Sequence, residues 1–256
     1  MSLAISIRSE AIKAKRSSAF WLSLLGAAFI PFIFLLTYTF KPEHFMPALK
    51  SDPWRIHFIQ GWKVLSAFLL PMFIILMCSL ITQIEYKNNC WKQVFSSPQT
   101  IAEIFFAKFL TIHFMILFCF LLFNLFMILS AVATNTLKSG YSFFSHSIDW
   151  VTLSRMTFKT YISILGISAM QYWLSLRFKN FIVPIGIGLG LLITSLVILN
   201  WEHIYKIPYA YPLLTFQSIS AKKSYLLENH EWNSIGYFIF FTILAFADMK
   251  YRKERG

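Results

Sequence analysis

The chain has 256 residues, of which 57% are hydrophobic and 13% are charged, and its formal net charge is +12. A soluble domain is about 25% charged, so this chain has too few polar groups to cover a surface that faces water. The composition therefore excludes an ordinary soluble enzyme. It predicts an all-α membrane protein, because a long apolar segment can pair its backbone groups within itself only as a helix.

The first segment, residues 1–17, is predicted to be an interfacial helix. Its apolar and charged residues alternate with a helical period: Leu3, Ile5 and Ile12 can share one broad face, with Arg8 largely elsewhere. A basic amphipathic helix of this kind lies in the plane of the lipid headgroups. We therefore expect membrane lipid to be a partner of this segment.

Long runs without charged residues predict about six transmembrane helices, since a bilayer core needs about 20 apolar residues as a helix. The predicted spans are residues 18–40, 63–84, 105–132, 155–176, 181–200 and 234–249. Residues 41–62 are predicted to form an outer loop. Residues 201–233 are predicted to form an outer cap that partly re-enters the membrane. Together these segments make one transmembrane domain, residues 1–256.

The distribution of basic residues predicts that both termini are cytoplasmic. Lys and Arg are enriched in the cytoplasmic segments that flank spans. Both ends of the chain are basic, and so are the connections between spans two and three and between spans four and five. Two cytoplasmic ends require an even number of spans in the cell membrane. The positive charge lies beside the membrane, so lipid headgroups explain it, and no nucleic-acid partner is expected.

Motifs for catalysis or cofactor binding are absent from the sequence. The cysteines Cys78, Cys90 and Cys119 lack the spacing of metal ligands and are interpreted as packing residues. No glycine is followed by lysine, so the chain has no phosphate-binding loop. The glycines spaced by two at 186, 188 and 190 lie in an apolar span and are interpreted as close helix packing. We expect a non-catalytic chain that binds no cofactor or metal itself.

The most informative segment is the predicted cytoplasmic connection, residues 85–104. It begins with Glu85 at the end of the second span, and Trp91 and Phe95 follow at a spacing that puts them on one helical face. This pattern predicts a short amphipathic helix on the cytoplasmic surface, rigidly attached to two spans. Such a coupling helix could transmit a push from a partner protein to the membrane bundle.

A new helix is expected to begin at the end of this connection. Ser97 could cap it with Pro98 at the first helical position. Alternatively, Thr100 and Glu103 could form a capping box. Both starts lead into the third span.

The order of residues in the connection resembles that of ABC-2 type transporter permeases. The matching positions are Glu85, Trp91-Lys92, Val94-Phe95, Ser97-Pro98 and Ala107-Lys108. The opening of the chain through the first span is also similar. Within the family, the likeness is to the small permeases of lantibiotic and bacteriocin immunity and of bacitracin-type resistance exporters. The sequence departs from the family at Asn89-Cys90, where the family often has Gly-Thr.

The resemblance implies a type V ABC exporter fold, in which two permeases, identical or different, form one translocation path. Cytoplasmic ABC ATPase subunits would bind the coupling helices and carry the ATP and Mg. The exported molecule would be an amphipathic peptide or an antibiotic. The residues that would couple to the ATPase are Glu85, Trp91, Lys92, Phe95, Ser97 and Pro98.

Two alternatives stay open within the connection. Glu85 could form a salt bridge with the N-terminal helix or the ATPase, because an ionisable group at the membrane edge needs a partner, or it could be a solvated helix end. Trp91 and Phe95 could insert into a groove on the partner or rest on lipid headgroups.

Three polar residues are predicted to lie inside spans: His113, Asn124 and Gln171. Polar groups at this depth usually face the interior of the bundle and can line a substrate path. They can also simply hydrogen-bond a neighbouring helix.

Two other functions compete with the permease. The chain could be a structural or scaffold subunit of a cell-envelope complex, or a secondary transporter or channel that needs no ATPase. No pair of intramembrane carboxylates is predicted, which counts against a proton-driven transporter.

Overall fold

The computed structural model describes residues 3–15, 17–47, 49–87, 99–138, 140–221 and 226–251, and all regular structure within them is helical. In chain order the α-helices are α1 (Leu3–Lys15), α2 (Ser18–Phe40), α3 (Pro42–Phe45), α4 (Pro53–Val64), α5 (Leu70–Lys87), α6 (Ile101–Leu137), α7 (Trp150–Ser163), α8 (Leu165–Arg177), α9 (Ile182–Val197), α10 (Tyr211–Ser220) and α11 (Asn229–Tyr251). A π-helical turn, Leu65–Leu69, joins α4 to α5. Short 3-10 turns lie at Phe143–Ser145, Ile204–Lys206 and Pro208–Ala210.

Four helices are long and apolar enough to cross a membrane. They are Ser18–Phe40, Pro53–Tyr86, Ile101–Leu137 and Asn229–Tyr251. The chain is therefore an all-helical, multi-pass membrane protein. The other two predicted spans correspond to the pair α7 and α8 and to α9. The 16 residues of α9 extend over about 24 Å, which is less than the roughly 30 Å of a hydrocarbon core.

The structure gives helix boundaries that differ from those of two predicted segments. Residues 53–62 are helix rather than outer loop, because the Asp52 carboxylate accepts the Arg55 N–H and Pro53 takes the first helical position, where no N–H is needed. The helix that contains the third predicted span begins at Ile101. Its start is the capping box: Thr100 Oγ1 accepts the Glu103 N–H, and the Glu103 carboxylate accepts the Thr100 N–H.

The fourth predicted span is broken at Ile164, between α7 and α8. The hydroxyl of Ser234, from α11, accepts the Gly166 N–H at 3.0 Å and lies 2.8 Å from the Ile162 carbonyl. Gly166 would otherwise donate to that carbonyl, so the serine is inserted into the helical ladder. A side chain inserted in this way bends a helix.

The helices pack around two long partners. α2 lies along α6, α8 lies along α11, and α5 joins the two halves by packing against α8 and α9. Many large apolar side chains on the outside of the bundle are exposed, as expected for a protein that lipid surrounds. At one end of this bundle α1 packs against α6, and this junction positions the candidate site.

Candidate functional site

The α1 helix presents small and polar residues to the protein and apolar residues outward. Ser6, Glu10 and Ala14, which are one turn apart, are buried against the bundle. Ile5 and Ile12 are 52% and 54% exposed. A helix that packed on a soluble core would show the reverse pattern. The exposed apolar face fits the predicted interfacial position, with lipid on one side and the bundle on the other.

Four charged residues from three helices meet beneath α1, and we call them the inner charge cluster: Glu10, Lys13, Glu85 and Lys108. The Lys108 Nζ lies 2.8 Å from Glu10 Oε2 and 2.6 Å from Glu85 Oε1. The Lys13 Nζ lies 2.6 Å from Glu10 Oε1 and 3.1 Å from Glu85 Oε1. The cluster joins α1, α5 and α6, and its two positive and two negative charges cancel.

Because the cluster is buried, the loss of any one charged partner would destabilise the protein. Lys108 and Glu85 are 0% and 1% exposed, and a buried charge without a partner is costly. Burial alone would raise the pKa of Glu10, but the charges and hydrogen bonds of Lys108 and Lys13 outweigh it and hold that pKa below its ordinary value. Burial would lower the pKa of Lys13, but Glu10 and Glu85 raise it. Glu10 and Lys13 are therefore interpreted as charged.

One carboxylate oxygen in the cluster is left over. Both lysines contact Oε1 of Glu85, whereas Oε2 is buried and has no hydrogen-bond partner among the described residues. Buried carboxylate oxygens are normally hydrogen-bonded. This oxygen therefore has a hydrogen-bonding capacity that the described residues do not use.

The structure places Glu85 inside α5, near its end, rather than in a separate connection. The role of Glu85 in coupling stays a prediction, but it lies against the N-terminal helix. The other predicted coupling residues lie outside the described residues: Trp91, Lys92, Phe95, Ser97 and Pro98. Of the two predicted helix starts, the Thr100–Glu103 capping box is the one that the structure contains.

His113 joins three helices in the bundle interior. Its Nδ1 lies 3.0 Å from the Tyr161 hydroxyl of α7, and its Nε2 lies 3.4 Å from the Ser168 hydroxyl of α8. The ring also packs edge-on against Phe109. These contacts are the helix-to-helix bonds of the second interpretation, and a role in a substrate path stays a prediction.

Asn124 and Gln171 also bond neighbouring elements. Asn124 Nδ2 lies 3.3 Å from the Thr157 hydroxyl of α7. Gln171 Nε2 donates to the Pro184 carbonyl of α9, and its Oε1 accepts the Tyr209 hydroxyl, both at 2.8 Å. Gln171 thereby ties α8 to α9 and to the outer segment. The structure does not bring His113, Asn124 and Gln171 into direct contact with the inner charge cluster.

A second buried ion pair lies at the other end of the bundle, and the sequence analysis missed it. Lys159 of α7 lies 3.4 Å from Glu231 of α11, and both are buried. The Thr215 hydroxyl of α10 contacts Glu231 at 3.2 Å and His230 at 2.9 Å. Lys159 falls inside a predicted span, and an ionisable residue there should have been expected to have a partner.

Sequence analysis also missed Glu10 and Lys108 as members of the inner charge cluster. In the sequence analysis Lys108 is named only as part of the family motif, although it lies within α6 and is buried. Its neighbours in the sequence, Ala107 and Phe109, are buried apolar residues. Among the residues that the structure describes, no group of three or more His, Cys, Asp or Glu side chains could hold a metal ion.

Comparison with known proteins identifies a family. A family model described as ABC-2 family transporter protein matches residues 6–195. No curated protein and no solved structure matches the chain. The matched stretch runs from α1 into α9, so it contains all four residues of the inner charge cluster.

Proposed function

Because the chain belongs to the ABC-2 family of transporter proteins, and is therefore a membrane subunit of an ABC transporter, we propose that it is the permease of an ATP-driven exporter. A separate cytoplasmic ATPase would supply the energy, with its ATP and Mg. A second permease, identical or different, would complete the translocation path. Both termini and the 85–104 connection would lie on the cytoplasmic side of the cell membrane.

The inner charge cluster is the observation that carries this proposal. The predicted contact region for the ATPase follows α5 directly and leads into α6. Glu85 at the end of α5 and Lys108 in the third turn of α6 are joined to each other and to α1. A force applied to the connection would therefore reach α1, α5 and α6 together. Salt bridges in a buried, neutral cluster suit this task, because their geometry is fixed by several contacts at once.

The proposed cargo is an amphipathic peptide or antibiotic. The motif of the 85–108 connection, which we interpret as resembling that of permeases of bacteriocin immunity and bacitracin-type resistance, favours this cargo. The exposed aromatic and aliphatic side chains along α2 and α6 would also let a molecule partition from the lipid to the protein. Transport of a fluorescent cationic amphipathic peptide by proteoliposomes that contain the purified complex tests the cargo directly. Accumulation that requires ATP supports it, and equal accumulation without ATP contradicts it.

The test of the energy source is a pull-down of the tagged chain from native membranes in mild detergent, with ATP hydrolysis measured in the eluate. We expect an ATP-hydrolysing subunit to co-elute. The variant Trp91→Ala should lose that subunit while it remains folded and monodisperse. Glu85→Gln should keep the subunit but weaken the dependence of transport on ATP.

Matched controls make the same chemical changes far from the connection. Glu43→Gln and Trp201→Ala alter exposed residues at the opposite end of the bundle, and both should behave like the wild type. A scaffold subunit would be indicated instead if the eluate contained no ATP-hydrolysing partner and the membrane complexes were the same with and without nucleotide. Transport by the purified chain alone would point to a secondary transporter.

A further inference from the structure

The helix that carries Glu85 is not uniform. From Pro53 to Lys87 the chain is continuously helical, but residues Leu65–Leu69 form a π-helical turn between α4 and α5. The Leu70 N–H bonds the Leu65 carbonyl, five residues back. This wide turn is one residue longer than an α-helical turn, and single wide turns inside α-helices are frequent at functional sites.

Pro71 lies two residues after the wide turn and favours a change of helical register there. Proline has no N–H, and its ring collides with the carbonyl four residues earlier. That carbonyl belongs to Ala67. The π register lets the backbone widen around the proline ring. Because Pro71 has no N–H, it can pair neither the Ala67 carbonyl in an α register nor the Ser66 carbonyl in a π register.

Two side chains in the same stretch are also unpaired. The indole N–H of Trp62 and the hydroxyl of Ser66, one turn apart, are buried, and neither has a hydrogen-bond partner among the described residues. Unpaired polar groups are costly where water is excluded. The wide turn therefore lies in a stretch where two buried polar side chains have no partner among the described residues.

The wide turn lies between two polar anchors. On the inner side, Glu85 belongs to the inner charge cluster. On the outer side, His57 of α4 is buried, with Nε2 3.0 Å from the Met127 carbonyl of α6 and Nδ1 3.3 Å from the Tyr38 hydroxyl of α2. The turn itself packs against α10, the outer helix.

We propose that the wide turn Leu65–Leu69 is a hinge at which α5 moves relative to α4 during the transport cycle. The inner part of the helix follows the inner charge cluster, while His57 holds the outer part against α2 and α6. A wide turn can move along a helix by exchanging one ladder bond for the next. The unpaired groups of Trp62 and Ser66 lower the barrier, because the exchange gives them new partners. This inference rests on the proposed function, since it needs a partner that drives α5.

The experiment is hydrogen exchange of the purified complex in lipid nanodiscs, without nucleotide and with ATP and vanadate. We expect the amides of residues 65–70 to change their exchange rate by on the order of tenfold, because a ladder bond is opened and remade there. The amides of α9, which has no wide turn, should keep their rate.

A deletion of Ala67 tests the hinge directly. Removing one residue from a one-residue bulge closes the wide turn into the α register, with a kink at Pro71, and leaves the faces of α4 and α5 in register. We expect this variant to fold, to bind the ATPase and to lose the nucleotide-dependent change at 65–70 together with transport of the fluorescent cationic peptide. The matched control is a deletion of Leu121, a lipid-exposed residue of the regular helix α6. That deletion rotates one half of α6 by about 100° and should prevent folding.

Three outcomes distinguish a failure of the hinge from a failure of the proposed exporter function. Exchange that changes with nucleotide elsewhere in the wild-type complex but not at 65–70 overturns the hinge alone. Full transport by the Ala67 deletion also overturns it. A chain that recruits no ATPase and shows no response to nucleotide overturns the proposed function, and the hinge with it. If the Ala67 deletion does not fold, the exchange of the wild-type amides decides the question.

Discussion

Lys108 contacts both carboxylates of the inner charge cluster, Glu10 and Glu85, and solvent does not reach it. Replacing it with methionine leaves two buried carboxylates, which keep their contacts with Lys13. We expect Lys108→Met to destabilise the protein by about 3–5 kcal/mol, the usual cost of leaving a buried charge unpaired. Thermal unfolding in detergent, followed by size-exclusion chromatography, measures the effect.

The control for this prediction is the neutral double variant Lys108→Met/Glu85→Gln. It removes one charge of each sign and leaves the Glu10–Lys13 pair within α1. It should recover most of the lost stability, since a neutral replacement of a buried pair is often tolerated. A double variant as unstable as the single one would show that packing, rather than charge, is responsible.

Glu10 makes the stability depend on pH in acid. Its pKa is lowered below the ordinary 4.5, so its contribution is present above pH 4.5 and is lost as the pH falls through the folded value. The pKa of Lys13 is raised above 10.5, so that contribution is lost only as the pH rises through its folded value. We expect the difference in Tm between wild type and Glu10→Gln to be constant from about pH 6 to 9 and to shrink below about pH 4.5. A difference that grew in acid would contradict this assignment.

The three glycines of α9 differ sharply in their surroundings. A Cβ on Gly188 would lie 2.7 Å from the Gln171 Oε1 and 2.9 Å from Ile75 Cγ1, whereas a Cβ on Gly186 or Gly190 would meet nothing within 4 Å. Close helix packing, predicted for all three, is therefore confirmed at Gly188 alone. Gly188→Ala should destabilise the protein by about 1–3 kcal/mol through overpacking. Gly186→Ala and Gly190→Ala should be neutral or slightly stabilising, because alanine favours helix; thermal unfolding compares the three.

At the scale of elements, the junction of α7 and α8 depends on a residue from a distant part of the chain. Ser234 is buried, and its hydroxyl fills the gap in the ladder beside Gly166. A Cβ on Gly166 would lie 3.1 Å from the Cβ of Tyr237, so the glycine also allows α8 and α11 to approach closely.

Ser234→Ala should therefore destabilise the protein by about 1–3 kcal/mol, because it leaves a buried N–H and a buried carbonyl unpaired. Thermal unfolding in detergent measures this loss. Ser195→Ala is the matched control: Ser195 is equally buried, but its hydroxyl bonds only the Leu192 carbonyl of its own helix. Equal losses for the two serines would show that the inserted hydroxyl has no special role.

At the scale of the whole molecule, the number of crossings decides the topology. Four helices are long enough to span, and the two remaining candidates are the kinked pair α7 and α8 and the short α9. If both cross, residue 180 lies on the cytoplasmic side, like the C-terminus. If neither crosses, residue 180 lies outside.

Reporter fusions after residues 145, 180, 202 and 256 distinguish these cases. Six crossings predict that the fusions after residues 145 and 202 are outside and that those after 180 and 256 are cytoplasmic, in agreement with the distribution of Lys and Arg. An external signal from the fusion after residue 180 would reduce the count to four.

The sequence by itself determined the membrane class, the helical fold and the resemblance to ABC-2 permeases, and it predicted the interfacial position of α1. These follow from properties that are local or additive along the chain: the fraction of apolar residues, the length of uncharged runs, helical periodicity and a short motif. The capping box at Thr100 could also be anticipated, because both of its residues lie within one turn.

Only the tertiary structure decided which charges are buried and what they contact. Glu10 and Lys108 are 98 residues apart in the chain, and Lys159 and Glu231 are farther apart than a local pattern can connect. Periodicity predicted that α1 has an apolar face. It could not show that the opposite face, with Ser6, Glu10 and Ala14, packs against the protein. The wide turn at Leu65–Leu69 and the serine inserted beside Gly166 depend equally on neighbours from other helices. Burial and pairing depend on which helix surfaces pack together. A residue pattern within one segment does not show which distant segment will pack against it.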